Sequence, residues 1–174
     1  MKKYLLFIAV LSLCLAVTSG CSGTKSVKMA EGKNIEIYIL SDRGNPDDMT
    51  EKQYLNRVQV GQWMEPDLVK ILNRAGYKAT LIEKPEEFTP GTGKYLLKVS
   101  IVSYNPGSTA ARMMVGYGAG ATSMDNHYEL YGEGQEPLLA YDDGVGSSRG
   151  WRLCAQKLNQ NALEKISQKL AEVQ

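Results

Sequence analysis

The sequence predicts an α+β fold: a single mostly antiparallel sheet of about five strands with two packed helices, after an N-terminal signal peptide. Two observations predict it. Several short segments alternate apolar and polar residues, and two long segments repeat apolar residues every three or four positions. Their order is β-α-β-β-β-β-α, and the 174 residues leave room for one compact domain, residues 34–174.

The first 20 residues predict an export signal. Lys2 and Lys3 form a charged start, Leu5–Val17 is apolar, and a small-residue stretch ends at Gly20-Cys21. The apolar run of about 13 residues is short for a membrane span, which needs roughly 20. An uncleaved anchor and an ordinary secretory peptide cut at another small residue remain alternatives. We expect cleavage between Gly20 and Cys21.

The segment Thr18-Ser19-Gly20-Cys21 resembles the lipobox of bacterial lipoproteins, although Thr18 stands where Leu is usual. This resemblance implies a lipoprotein whose Cys21 carries a diacylglyceryl thioether and, after cleavage, a fatty acid such as palmitate on its amine. The residue after Cys21 is Ser22 rather than Asp, and this resembles the pattern that sorts lipoproteins of enteric bacteria to the outer membrane. The chain is therefore expected to be lipid-anchored to the outer membrane of the cell envelope and to face the periplasm.

Residues 21–33 are predicted to be a lipidated flexible tether, since they are small and polar without periodicity. The domain then begins with a strand in which Ile35, Ile37 and Ile39 alternate with their neighbours. A turn-rich loop over 41–48 follows it.

A long helix is predicted from Thr50 to Gly76. Thr50 and Gln53 resemble a capping box, and Gly76 lies where a left-handed C-terminal residue is favoured. Pro66 lies inside this segment. It either kinks the helix, which we favour, or begins its second half.

The middle of the chain predicts strands over 79–83, 94–104, 124–130 and 137–141. The second has apolar residues on both faces, which indicates a central strand. Pro137 places the last at an edge or a strand start, and Asp142-Asp143-Gly144 is expected to end it.

The last helix, residues 151–170, is amphipathic and is expected to pack on the sheet, because its polar face is mixed in charge rather than basic. Cys154 lies on its apolar face and is predicted to be a buried thiol.

Charge and cysteine content exclude several functions. The 20 basic and 19 acidic residues give no argument for binding nucleic acid. Cys14 leaves with the signal and Cys21 is blocked by lipid, so Cys154 cannot form an internal disulfide or a cysteine-based metal site. We expect no cofactor and no metal.

Residues 105–122 contain a glycine-rich block that reads GS-x-x-AR-x-x-VGYGAG. This block resembles the GS-x-x-AR-x-x-VG[FY]GAG signature of a family of small uncharacterised bacterial lipoproteins, a domain of unknown function. A looser fold-level likeness extends to periplasmic domains of the curli-secretion lipoprotein and the Tol translocation protein. The candidate structural or partner-docking residues are Gly107, Ser108, Ala111, Arg112, Val115, Gly116, Tyr117, Gly118, Ala119 and Gly120.

The block allows three conformations. As a strand it has one bare glycine face that admits close approach of a partner. As a helix it places Gly116 and Gly120 as a GxxxG pair. As a phosphate loop it has the wrong glycine spacing. We favour a tight loop-to-strand transition, with Arg112 bound to Asp142 or Asp143 or exposed to solvent.

Catalytic candidates are few. His127, with Asp125 and Glu129 at two-residue spacing, shares one strand face, which suits a weak metal site but is more typical of a solvated surface. A Ser-His-Asp arrangement needs Ser147 or Ser148 beside His127, and no nucleophile-elbow motif supports it. We interpret the chain as a non-enzyme.

Three functional hypotheses follow. The first is an envelope interaction or assembly lipoprotein that holds a protein partner through a sheet edge or the glycine-rich block. The second is a small binding or enzymatic domain with a site near His127 and Arg112. The third, weaker one is an oligomeric pore in which residues 112–122 enter the bilayer as strands.

Overall fold

The computed structural model of the protein describes residues 34–115 and 120–173. The predicted signal peptide, the tether and the middle of the glycine-rich block lie outside this range. The element bounds are β1 Glu36–Asp42, α1 Glu51–Arg74, β2 Lys78–Ile82, β3 Lys94–Asn105, α2 Thr109–Val115, β4 Thr122–Tyr131, β5 Leu139–Ser147 and α3 Trp151–Glu172. The predicted α+β fold, with one five-stranded sheet and two long helices, is confirmed.

The sheet has the strand order β2-β1-β3-β4-β5, so β3 is its central strand as predicted. β1 pairs in parallel with β2 and β3, and the longer ladders, β3 with β4 and β4 with β5, are antiparallel. α1 connects β1 to β2, because two parallel neighbours need a crossover. β2 and β5 are the two edges.

Helix α1 begins with the predicted capping box, in which Thr50 and Gln53 exchange side-chain and backbone hydrogen bonds. It is one continuous helix that contains Pro66, so the alternative of a new helix start at Pro66 is wrong. Gly76 follows it with φ 96°, the left-handed conformation that the sequence predicted.

The core lies between one face of the sheet and helices α1 and α3, which also contact each other. Ile37, Leu97 and Tyr128 of three adjacent strands and Leu158 of α3 all belong to this core, and all four are almost fully buried. Cys154 is buried as predicted, and burial raises the pKa of its thiol. In the part of the chain that the structure describes, no helix is long and apolar enough to cross a membrane.

Strand β5 corrects the prediction that Asp142-Asp143-Gly144 ends it. The strand continues to Ser147, which pairs with Thr122 at the start of β4. Gly144 permits this, because any side chain there would meet the Asp125 carboxylate of β4. The ladder therefore overrides the local turn signal.

Strand β3 extends beyond the end of β1, and a side chain replaces the missing strand. Arg57 of α1 donates from Nη1 to the Ile101 carbonyl at 2.6 Å and from Nη2 to the Val102 carbonyl at 2.9 Å. Ile101 and Val102 lie at an irregularity in the β3–β4 register. The guanidinium thus satisfies carbonyls that have no strand neighbour on that side.

Candidate functional site

The two ends of the glycine-rich block meet where β3 stops and β4 starts. Gly107 and Gly120 both have positive φ, 75° and 64°. The Ser108 N–H donates to the Gly120 carbonyl at 3.0 Å. A Cβ on Gly107 would overlap the Gly120 carbonyl oxygen, and a Cβ on Gly120 would overlap that of Ser108. We call Gly107, Ser108, Ala111 and Gly120 the glycine neck.

Short polar contacts hold the glycine neck. The Asn105 side chain accepts from the Gly107 N–H at 2.9 Å, and the Thr122 hydroxyl donates to the Pro106 carbonyl at 3.0 Å. The Ala111 N–H donates to Ser108 Oγ at 3.2 Å, which satisfies an N–H in the first turn of α2. A Cβ on Gly120 would lie 3.1 Å from Ala111 Cβ, so Ala111 packs closely against Gly120.

The glycine neck carries the short helix α2. Its Met113 and Met114 side chains are 85% and 87% exposed, the highest values among the exposed large hydrophobic side chains that the structure describes. Residues 112–115 are helical, so the predicted strand across 112–122 is wrong there. The physical cause is the Ser108 cap followed by helix-favouring alanines. The pore hypothesis, which uses that strand, stays a prediction.

Four motif residues thus come together as the glycine neck. Gly116, Tyr117, Gly118 and Ala119 lie outside the described residues, as do the side chains of Arg112 and Val115. The predicted contact of Arg112 with Asp142 or Asp143 stays a prediction. Both carboxylates have other partners: Asp142 lies 2.7 Å from His127, and Asp143 accepts from Asn161 at 2.8 Å.

His127 lies on the sheet face that no long helix covers. Its Nδ1 is 2.7 Å from Asp142 Oδ1 of β5, and its Nε2 is 3.8 Å from Glu129 Oε1. The other predicted neighbour, Asp125, instead accepts the Ser103 hydroxyl. Among the described residues, no group of three or more His, Cys, Asp or Glu side chains is arranged to hold a metal ion.

Sequence reasoning missed Asp142 as the partner of His127, because the prediction ended β5 there. The β4–β5 register places the two residues opposite each other. Ser100 lies opposite His127 on β3, whereas Ser147, one of the two predicted serines, pairs with Thr122. The serine arrangement with Ser147 or Ser148 therefore stays a prediction.

A polar cleft of about 370 Å³ lies at the carboxyl ends of β1 and β2. Arg43 and Glu65 fill part of it with a bidentate pair at 2.9 and 2.6 Å. The Glu65 carboxylate raises the pKa of the Arg43 guanidinium. Gly61 makes room for this pair, since its Cβ would lie 2.6 Å from Arg43 Nε. The Arg43 guanidinium of the cleft is thus already paired with the Glu65 carboxylate.

These features define the class of protein: an α+β domain whose central strands are joined by a glycine-necked loop. The chain belongs to the family described as Domain of unknown function (DUF4410), whose model matches residues 26–151. The predicted membership of a family of unknown function is thereby confirmed, whereas its glycine-rich signature stays a prediction. No curated protein matches the sequence.

Three of the solved structures with partial similarity come from two bacteria. Two PelC dodecamers from Paraburkholderia phytofirmans, one of them a variant, are 14% and 12% identical, with TM-scores of 0.42 and 0.41. The matches cover 81% and 82% of this chain and 89% of each PelC chain. An uncharacterised lipoprotein B from Nitrosomonas europaea is 14% identical over 79% of this chain and 76% of its own, with a TM-score of 0.26.

Proposed function

We propose that this protein is an envelope lipoprotein, anchored through Cys21 to the outer membrane, whose periplasmic domain is a non-catalytic interaction or assembly component. The observation that carries the proposal is the exposure of Met113 and Met114 on a helix fixed by the glycine neck. Large exposed apolar side chains that lie next to each other are typical of a contact surface for another protein. Methionine suits such a surface because its thioether is flexible and polarizable.

The position of α2 supports a partner other than the anchoring membrane. β1 and β3 start at the same end of the sheet, where the Glu36 N–H donates to the Gly93 carbonyl at 2.8 Å. The tether joins the domain at this end, just before β1. The glycine neck follows Asn105 at the opposite end of β3, whose 12 residues span roughly 40 Å. The domain therefore carries its methionine pair away from its own attachment point.

The partner contact is tested by crosslinking in intact envelopes, with the full chain carrying Met113→Ser and Met114→Ser together. We expect the yield of the main crosslinked product, as seen with the native chain, to fall at least fivefold. The matched control is Leu55→Ser, which changes a 57% exposed apolar residue on α1 and leaves the crosslink in place. Unchanged crosslinks in the double methionine variant, at equal abundance, would refute the proposed contact.

The anchor is tested separately with Cys21→Ser. We expect the native chain to incorporate labelled palmitate and to fractionate with outer membranes, and the variant to do neither. Palmitate-free native protein with an N-terminus other than Cys21 would contradict the lipoprotein assignment.

A second candidate function is favoured by the short His127–Asp142 contact, which orients an imidazole on an open face. In this alternative the domain binds or transforms an envelope component near His127 and Arg112. Alanine at His127 or Arg112 separates the two functions. Loss of a crosslinked partner supports the interaction component, whereas loss of a turnover with intact complexes supports the alternative.

A further inference from the structure

The two edges of the sheet differ in how their backbone groups are satisfied. At β2 the Asn73 side chain occupies the outer edge: the Ala79 N–H donates to its Oδ1 at 3.0 Å, and its Nδ2 donates to the Ala79 carbonyl at 3.2 Å. Just beyond the strand, Glu87 accepts the N–H groups of Glu83 and Lys84. An amide that mimics a neighbouring strand in this way blocks the edge against further pairing.

The β5 edge, residues Leu139–Ser147, has no such block. Its nine residues pair with β4 on one side. Over the described residues, no side chain or backbone group outside β4 bonds to the main chain of β5. Outward-facing N–H and C=O groups in such a row are a template for an added strand.

The charge of the β5 edge selects among possible partners. Asp142 and Asp143 lie at its middle. The Asp142 side chain is 83% exposed and contacts His127 only through Oδ1, and Asp143 accepts from Asn161 only through Oδ2. On the adjacent strand β4, Asp125 and Glu129 add two carboxylates to the face that Asp142 shares, and His127 is the one basic side chain of β4 and β5.

An antiparallel pairing of two β5 edges centred on these residues would place the aspartates of both chains close together, which is unfavourable. Basic side chains on an added strand meet them favourably instead.

We infer that the β5 edge accepts an extended segment of a protein partner that carries Lys or Arg at alternate positions and adds as a sixth strand. The inference rests on the proposed function only in taking the partner to be a protein. It names a contact surface separate from Met113 and Met114. Main-chain hydrogen bonds provide the affinity, and the acidic edge provides the preference for basic side chains.

The probes are three nine-residue peptides: one alternating valine and lysine, one alternating valine and glutamate, and the first with N-methylated amides on one edge. Binding to the full chain in nonionic detergent is measured by fluorescence anisotropy, and the site by amide hydrogen exchange. We expect the valine–lysine peptide to bind at least tenfold more tightly than either other peptide. Exchange should slow at Leu139–Ser147 and not at Lys78–Ile82.

Two variants sharpen the assignment. Asp142→Asn, at an exposed position, should reduce the lysine-over-glutamate preference at least threefold without loss of folding. Asn73→Ala removes the acceptor of the Ala79 N–H and should accelerate amide exchange at Ala79, as expected if Asn73 protects the β2 edge.

Three results would overturn the inference: equal binding of the lysine and glutamate peptides, equal binding of the N-methylated peptide, or β5 protection that rises with protein concentration alone. The last result would assign the edge to a second copy. None of them bears on the crosslink that depends on Met113 and Met114, so the two proposals fail independently.

Discussion

At the residue scale, the backbone of the glycine neck is constrained at Gly107 and Gly120. Alanine at Gly107 or Gly120 would combine a left-handed backbone with overlap of a carbonyl oxygen. We expect each variant to lower the free energy of unfolding by about 2–4 kcal/mol. Urea denaturation measures it.

The control for the neck variants is Gly134→Ala, because a Cβ there meets nothing within 4 Å. We expect it to change stability by less than about 0.5 kcal/mol. Equal stabilities of all three alanine variants would contradict the steric account of the glycine neck.

Two buried tyrosine hydroxyls differ in their partners. The Tyr77 hydroxyl donates to Ser167 Oγ at 2.9 Å, whereas the buried Tyr141 hydroxyl has no hydrogen-bond partner among the described residues. Tyr77→Phe should therefore cost about 1 kcal/mol, and Tyr141→Phe should be neutral or stabilising. Thermal unfolding of the two variants compares them directly, and a larger loss for Tyr141→Phe would refute this ranking.

Sequence reasoning found some site residues and missed others for a physical reason. Gly107 and Gly120 were identified because glycine marks special backbone positions, but their contact across 13 residues is tertiary and has no local signal. Asp142 was missed as the partner of His127 because cross-strand register depends on where β5 ends. The role of Asn73 at the β2 edge was missed, because in the sequence this residue does not differ from any other polar residue of a helix.

At the element scale, Arg57 stabilises the part of β3 that β1 does not cover. Arg57→Ala should lower the free energy of unfolding by about 1–2 kcal/mol, since it leaves two carbonyls without their donors. Amide exchange near Asn105 should also accelerate. Lys52→Ala, on the first turn of the same helix, is the control and should leave exchange in β3 unchanged.

Elements with a clear hydrophobic periodicity could be predicted from the sequence, whereas elements whose bounds depend on strand pairing could not. α1, β3 and α3 follow from capping, alternation and helical periodicity. The extension of β5 through two glycines follows from its ladder with β4. α2 was missed, because a helix of seven residues between glycines has too few turns to produce a periodic signal.

At the scale of the whole molecule, buried phenols make stability depend on alkaline pH. Burial raises the pKa values of Tyr77, Tyr128 and Tyr141 above the ordinary value of 10.0. The folded state therefore favours the neutral phenol. This contribution is complete below pH 10 and is lost as the pH rises above it, when the unfolded chain ionises first.

We expect urea midpoints to be level from pH 7 to 9 and to fall above pH 10. Tyr141→Phe removes one of these groups and should flatten the fall. Identical slopes in both proteins would contradict the assignment.

The glycine neck also bears on how this loop can vary between relatives. Gly107 and Gly120 bring the two ends of the loop together. The number of residues between them therefore adds little to the entropic cost of loop closure and does not alter the ends of β3 and β4. If the proposed contact through Met113 and Met114 holds, substitution of these two residues would change the partner that the domain binds, while the sheet that carries them stays the same.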